Sequence, residues 1–302
     1  MKKKMRVFMS LAIILSIGIL VACGNSGRET ELTELRIGLL LDDSNPQREI
    51  AFENFRSALE RHLGMPVTII EDATHIVGIE AMRANPAQLD VMWASSWVYL
   101  LAQRTVQVEQ LVVLDIPGET VEIVFITSSE RDDIRSIEDV RTLAFNNATS
   151  TAFNMGMYYL IESFSWSRDE ILAGGTLFDA VTFTGHQNAN IVGVINGDFD
   201  ASVVNLLPLR TAINTGLIQE DDVKIIARTY SPALAGFIAR SDLPEDIVVS
   251  LRDFLLNFDD VEYFTERFGN AQARYVQPNE ENINRLLAIV EALGLDLEEQ
   301  AQ

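Results

Sequence analysis

Apolar and polar positions along this chain switch repeatedly between a strand period and a helix period. Leu35–Leu41 is a compact apolar run, and Pro46–Leu63 follows with apolar residues at helical spacing (Ile50, Phe52, Phe55, Leu59, Leu63) and a stop at Gly64. Val67–Ile70 reads as a second strand, Ile76–Arg83 as a second helix and Asp90–Trp93 as a third strand, after which Trp97–Gln103 opens another helix. Two β-rich runs, Leu111–Ile116 and Glu122–Thr127, come next. The pattern then restarts. Ser136–Arg141 is a short helix, Thr142–Phe145 a strand, Thr151–Phe164 a helix, Ala180–Phe183 a strand and Asn188–Ile195 a helix. Ala201–Val204, Leu206–Asn214 and Val223–Ala227 add strand, helix and strand, and an apolar run at Ala233–Ala239 can return the chain to the first half. Pro244 to Leu293 is largely helical. Strands alternating with helices predict an α/β fold with mostly parallel sheets and helices on their faces.

The two halves echo one another. Glu80-Ala81-Met82-Arg83 with Leu89-Asp90-Val91-Met92-Trp93 matches the order of Gly193-Val194-Ile195-Asn196-Gly197-Asp198-Phe199-Asp200-Ala201. Each is a helix end, a tight turn, an aspartate and a buried strand, which predicts that Asp90 and Asp200 satisfy backbone amides at strand starts. Two similar lobes follow: residues 35–127 for the first, 128–231 for the second, and 232–302 for the return and the C-terminal helices.

Composition changes the picture at the N-terminus. Lys2, Lys3, Lys4 and Arg6 precede an apolar run from Val7 to Ala22 that ends in Leu20-Val21-Ala22-Cys23. That is signal-peptide length and pattern, so residues 1–22 are expected to be removed. The end of the run resembles a bacterial lipobox, which implies a diacylglyceryl group on Cys23, the only cysteine. Gly24–Glu34 then reads as a flexible tether holding the protein on the outer face of a membrane. The 302-residue chain carries a net charge of −21, and loss of the cationic leader makes the remainder more negative still. Such a body repels nucleic acid and anionic lipid. Lys224 is the only lysine beyond the leader, so a P-loop lysine is absent. No Cys/His or HExxH spacing for a metal and no Gly-x-Ser-x-Gly elbow is found, and no cofactor is expected.

In parallel α/β sheets ligands bind beyond the carboxyl ends of the strands, where helix N-termini point. The junctions there are Asp42-Asp43-Ser44-Asn45-Pro46, Ala94-Ser95-Ser96-Trp97, Asn146-Asn147-Ala148-Thr149-Ser150-Thr151 and Thr184-Gly185-His186-Gln187-Asn188. All are rich in hydroxyls or amides. Any one is an ordinary helix cap, but four facing one cleft offer the N–H groups and dipoles that an oxyanion needs. Trp93, Trp97, Tyr99 and Phe153 lie near the same junctions and read chiefly as core.

The order strand, Asn147-Ala148-Thr149-Ser150-Thr151, helix, Phe183-Thr184-Gly185-His186, then Ile195-Asn196-Gly197-Asp198-Phe199-Asp200-Ala201, resembles the phosphonate/phosphite/phosphate-binding subunits of ABC importers. Leu35-Arg36-Ile37-Gly38-Leu39 and Leu89-Asp90-Val91-Met92-Trp93 match the same family, and the likeness runs from about Leu35 to Val290. The resemblance implies a two-lobed, hinged, Venus-flytrap fold of the type II periplasmic-binding-protein kind. It also implies a small oxyanion ligand and delivery to an ABC permease by a monomer. The family's Ser-Thr-Ser turn falls on Ser150, Thr151 and Ala152, with the third hydroxyl lost. Its histidine falls on His186 counted from Gly185 or on Gln187 counted from Asp200, and its tyrosine after the second strand on His75. Its aromatic-plus-Gly becomes Ala94-Ser95, a second tyrosine near Glu119 or Thr120 is absent, and the acid that meets an aminoalkyl group falls near Leu207.

Ser150, Thr151, His186, Gln187, Asn188, Ser95, Ser96, His75, Ser44 and Asn45 are therefore the candidate ligand contacts. A sulfonate or a quaternary amine remains an alternative solute, a sensing role an alternative to transport, and a hydrolase using Ser150 and His186 an alternative from another class.

Overall fold

Two β-sheets organise the chain, which a computed structural model describes over residues 32–39, 46–70, 75–118 and 120–297. Cys23, Ser44 and Asn45 lie outside the described residues. Glu34–Gln302 forms one contact unit that contains both sheets. The first sheet holds β1 (Leu35–Gly38), β2 (Val67–Ile70), β3 (Val91–Ala94), β4 (Val108–Asp115), β10 (Gly236–Arg240) and β11 (Arg274–Val276), in the order β11-β4-β10-β3-β1-β2. The second holds β5 (Glu122–Ser128), β6 (Thr142–Phe145), β7 (Ala180–Phe183), β8 (Ala201–Asn205) and β9 (Val223–Tyr230), in the order β7-β6-β8-β5-β9.

The sheets are mixed rather than mostly parallel. β1 runs parallel to β2 and β3, and β6 parallel to β7 and β8, as the alternating pattern predicts. The antiparallel pairings all involve strands next to a crossing between sheets or the late strand β11. A chain that leaves one sheet by β4 and returns by β10 enters in the opposite sense, and β5 and β9 repeat this in the second sheet. The first crossing also lies earlier than the sequence suggests. Residues 122–127 were expected in the first lobe, but β5 pairs with β8 and β9, so the chain changes sheets between Asp115 and Glu122.

The helices are α1 (Pro46–Leu63), α2 (His75–Arg83), α3 (Ser96–Thr105), α4 (Thr151–Phe164), α5 (Arg168–Leu172), α6 (Gln187–Asn196), α7 (Leu206–Asn214), α8 (Glu245–Asn257), α9 (Val261–Phe268) and α10 (Glu280–Ala292). The C-terminal helices rejoin the first sheet through aromatic contacts. Phe55 of α1 stacks on Phe237 of β10 at 6.0 Å and on Tyr263 of α9 at 5.0 Å, and meets Phe254 of α8 edge-on at 5.7 Å. One apolar cluster contains residues of both sheets and their helices, including Met92, Trp97, Phe125, Phe153 and Leu286. The other face of the second sheet closes over Val124, Ile126, Ile191 and Val204.

The two echoed aspartates do equivalent work. Asp90 is fully buried just before β3, and its Oδ2 accepts from the backbone N–H of Arg36 at 3.0 Å and from Arg36 Nε at 2.8 Å. Asp200, just before β8, accepts from the N–H of Arg141 at 2.8 Å and of Thr142 at 3.0 Å. Each carboxylate thus secures the start of the neighbouring parallel strand, β1 or β6. Among the described residues no helix is long and apolar enough to cross a membrane.

Candidate functional site

The next element after each of β3, β6 and β8 is a helix, and the starts of these helices meet at one cavity of about 330 Å³. Ser95 and Ser96 line it from the start of α3, Thr151 from the start of α4, and Asn205 to Pro208 from the start of α7. His75, the first residue of α2, adds a fourth helix start. The first turn of a helix leaves N–H groups without intrahelical partners and carries the positive end of the macrodipole. Four such ends, two from each sheet, therefore give the cavity a positive lining without any lysine or arginine among the described residues. Pro208 suits its place because the first turn needs no N–H from it.

The serines before these helices act as caps. Ser95 Oγ accepts from the N–H of Val98 at 3.3 Å. Ser150 Oγ accepts from the N–H of Phe153 at 3.0 Å and donates to Asn146 Oδ1. Capping fixes each helix start; it uses both roles of the Ser150 hydroxyl, whereas the Ser95 hydroxyl only accepts and keeps its proton to donate. Thr151 differs: it is buried to 6% exposure, lines the cavity, and its hydroxyl makes no hydrogen bond among the described residues. Asn205 also lines the cavity, and its Oδ1 is buried without a partner among the described residues.

His75 is half-buried on the cavity wall, and desolvation lowers its pKa to about 4, so the imidazole is neutral at neutral pH. Among the described residues the only carboxylate on the wall is Glu122, which pairs with Arg228 across β5 and β9. Trp93 and Phe268 complete part of the first-lobe wall, and behind them Arg267 lies over the Trp93 ring at 4.6 Å and over the Phe268 ring at 5.2 Å. Its Nη1 donates to Tyr263 Oη at 2.9 Å.

Of the predicted contacts, the cavity brings together His75, Ser95, Ser96 and Thr151. Ser150 stands behind Thr151 as its cap. His186 is exposed and does not line the cavity; it sits at the N-cap of α6, and its carbonyl accepts from Asn190 N–H at 3.2 Å. Asn188 is exposed on the same helix. Gln187 acts at one remove: its Oε1 accepts from the N–H of Asn205 at 2.7 Å and so holds the start of α7 against that of α6. Ser150 and His186 share no hydrogen bond among the described residues, which leaves the Ser–His pairing without geometric support. Sequence reasoning placed the helix at Leu206–Asn214 and the family's acidic position near Leu207, but it did not count Asn205 among the ligand contacts, although Asn205 before an apolar run with Pro208 in its first turn is a legible helix-start signal. It also missed the crossing segments, which reach the cavity only through the fold. Trp97 and Phe153 are fully buried core, as expected, whereas Trp93 reaches the wall.

Two mixed α/β sheets, two crossings and a cleft lined by helix starts from both sides define a two-lobed solute-binding protein of the type II periplasmic-binding-protein fold. A family model described as "ABC transporter, phosphonate, periplasmic substrate-binding protein" matches residues 37–281. The chain belongs to this family. It is similar in structure to PhnD1 of Prochlorococcus marinus, solved in complex with methylphosphonate, at 18% identity and a TM-score of 0.70, covering 87% of this chain and 98% of that one. A binding-protein component of an ABC phosphonate transporter from Pseudomonas aeruginosa gives 15% identity and a TM-score of 0.66 over 88% and 97% of the two chains. The alkanesulfonate-binding protein SsuA of Xanthomonas axonopodis pv. citri, bound to MOPS, gives 17% identity and a TM-score of 0.61 over 89% and 97%.

Proposed function

We propose that this protein captures a small oxyanion of the phosphonate type between its lobes and delivers it to an ABC permease while tethered by a lipid on Cys23. The observation that carries this reading is the meeting of four helix starts, two from each sheet, on one cavity. A strongly negative body cannot draw an anion from afar, so the anion is held by aimed donors in a cleft that excludes water. Thr151 supplies a hydroxyl at the start of α4, Ser95 and Ser96 face it from α3, and neutral His75 offers one ring N–H. His186 and Asn188 take no part. The lobes close on the ligand about the two crossings, at residues 116–121 and 231–235.

Calorimetric titration with methylphosphonate tests the reading. A hydrogen bond to a charged group is worth about 1.5–3 kcal/mol, so Thr151→Ala is expected to weaken binding about ten- to a hundredfold. His186→Ala is expected to bind like the parent. Binding unchanged in Thr151→Ala, or lost in His186→Ala, would place the anion elsewhere. The sulfonate reading rests on the same donors, which address any tetrahedral oxyanion, and methanesulfonate in the same titration separates the two headgroups.

A further inference from the structure

Five aromatic rings of the first lobe converge on one arginine. The Arg267 guanidinium carbon lies between 4.6 and 5.7 Å from the ring centroids of Phe52, Trp93, Phe237, Tyr263 and Phe268. The rings come from α1, β3, β10 and α9, with Phe237 directly opposite Trp93 on the ladder between β10 and β3. A cage of electron-rich ring faces is a means by which proteins hold cationic ligands. Here the chain's own side chain fills it. Arg267 stands in the last turn of α9, where the helix dipole favours a cation. The dipole accounts for a charge in that turn but not for its enclosure by rings from four elements.

Two of the five rings, Trp93 and Phe268, also line the cleft, whereas Arg267 does not. The guanidinium thus stands one ring behind the wall, 4.6 Å from the Trp93 centroid. A ligand resting on the cleft side of that ring, at a contact distance of about 3.5–4 Å, would lie roughly 8 Å from the charge. The polar groups beside Arg267 leave its charge intact. Its Nη1 donates to Tyr263 Oη at 2.9 Å, and Tyr263 Oη lies 2.7 Å from Tyr275 Oη. Burial raises the pKa of both phenols, so they stay neutral at neutral pH, while a guanidinium stays charged.

Resting on the oxyanion reading, we infer that Arg267 holds the ligand's headgroup through its field, from behind the Trp93 and Phe268 wall and without touching it. The helix starts supply directed hydrogen bonds, and Arg267 adds an attraction that grows with the number of charges on the ligand. It is a specificity-determining residue for headgroup charge. By occupying the cage it also closes that cage to a quaternary amine.

Calorimetric titration of the full chain in detergent micelles tests this, with methylphosphonate at about pH 6, where one charge prevails on it, and at about pH 9, where it carries two. Arg267→Met keeps the length of the side chain and removes its charge. At the lower pH this variant is expected to bind about five- to thirtyfold more weakly than the parent, for a charge roughly 8 Å away at an effective dielectric constant of about 20–40. At the higher pH the deficit should multiply by about the same factor again, because the second charge feels the same field. Arg267→Lys, which keeps a cation in the cage, should bind within about threefold of the parent at both pH values. A deficit equal at both pH values, or one that Arg267→Lys shares, would make Arg267 a packing residue and overturn the inference while leaving the oxyanion site standing. Unchanged affinity in Arg267→Met would overturn it too, and is the result expected if a carboxylate cancels the guanidinium charge. If Arg267→Met does not fold, Arg267→Gln, which can still donate to Tyr263, takes its place. No binding of methylphosphonate by the parent would overturn the oxyanion reading itself, and this inference with it.

Discussion

Gly236 opens β10 immediately after the second crossing, where a single added carbon has a calculable effect. A Cβ built there would lie 1.9 Å from the carbonyl oxygen of Val112 and 2.9 Å from its carbonyl carbon. Both atoms belong to the backbone of β4, so no side chain can turn aside. Relief requires β10 and β4 to separate by roughly 1 Å, the difference between 1.9 Å and the 3.0 Å that Cβ contacts respect. That movement breaks the 2.8 Å bond from Leu114 N–H to Ala235 O and disturbs the adjoining pairs Gly236↔Val113 and Phe237↔Val112. Two buried backbone groups left without partners cost about 1–3 kcal/mol each. For a protein of this size each kcal/mol moves the melting temperature by about 2–4 °C, so Gly236→Ala should lower it by about 5–20 °C. Gly78 is the control. A Cβ there would meet Met92 Cε at 2.8 Å, but this is the free end of a flexible side chain, and alanine gains about 0.5–1 kcal/mol over glycine inside α2. Gly78→Ala should melt at or above the parent temperature. Thermal melts followed by circular dichroism check both variants. A Gly236→Ala protein within about 2 °C of the parent, or a Gly78→Ala protein damaged as badly, would refute the steric argument.

Asp90→Ala leaves Arg36 without its buried partner and should cost about 3 kcal/mol, read as a lower urea midpoint with an unchanged slope. Burial raises the pKa of Asp200, but bonds from Arg131, Arg141 and Thr142 outweigh it and hold the carboxyl below its ordinary value. Its stabilisation is therefore complete above about pH 4 and lost as pH falls further, so Asp200→Asn should flatten the acid limb of a stability profile. Cys23→Ser should release the protein from the membrane fraction or leave an unprocessed precursor, and a processed variant still on membranes would refute the lipid anchor.

The strands were legible because compact apolar runs such as Leu143–Phe145 and Val91–Trp93 are bounded by polar turns, and a buried parallel strand needs little else. The roles of Asp90 and Asp200 were legible for the same local reason, since each precedes its strand directly. The ligand contacts were only half legible. Ser, Thr and Asn before a helix are chosen alike by capping and by ligand binding, and sequence cannot separate Ser150, whose hydroxyl is consumed by Phe153 and Asn146, from Thr151, which lines the cavity with a hydroxyl that has no partner among the described residues. His186 stood out because the family's histidine falls on it counted from Gly185, yet at the N-cap of α6 it is exposed and does not line the cavity. The crossing segments were invisible for another reason. Ile116 and Leu234 are separated by more than a hundred residues, and only the two crossings bring them to one cleft.

His75 ties the site to proton binding in a way that separates contact from proximity. In the free protein desolvation holds its pKa at about 4, against about 6.5 when the chain is unfolded. Between these values the unfolded chain binds the extra proton and the folded one does not. Stability contributed by the neutral imidazole is thus fully present above about pH 6.5 and declines as pH falls toward about 4, by at most about 1.4 kcal/mol per unit. An oxyanion bound beside the ring reverses the sense of this linkage, because a negative neighbour favours the imidazolium and raises its pKa. Methylphosphonate affinity should therefore increase as pH falls from 7 toward 5, by no more than about tenfold per unit, with protons taken up on binding. Calorimetry in two buffers of different ionisation heat reads that uptake directly. His75→Gln, which keeps a hydrogen-bond donor but cannot titrate, should remove the His75 share of the uptake and of the pH trend in affinity and leave only what the phosphonate's own second ionisation contributes. It should also remove the decline in melting temperature of the free protein between pH 6.5 and 4.5. If the variant loses the stability trend but keeps the parent's full uptake, His75 is a desolvated wall residue and takes no titrating contact to the anion.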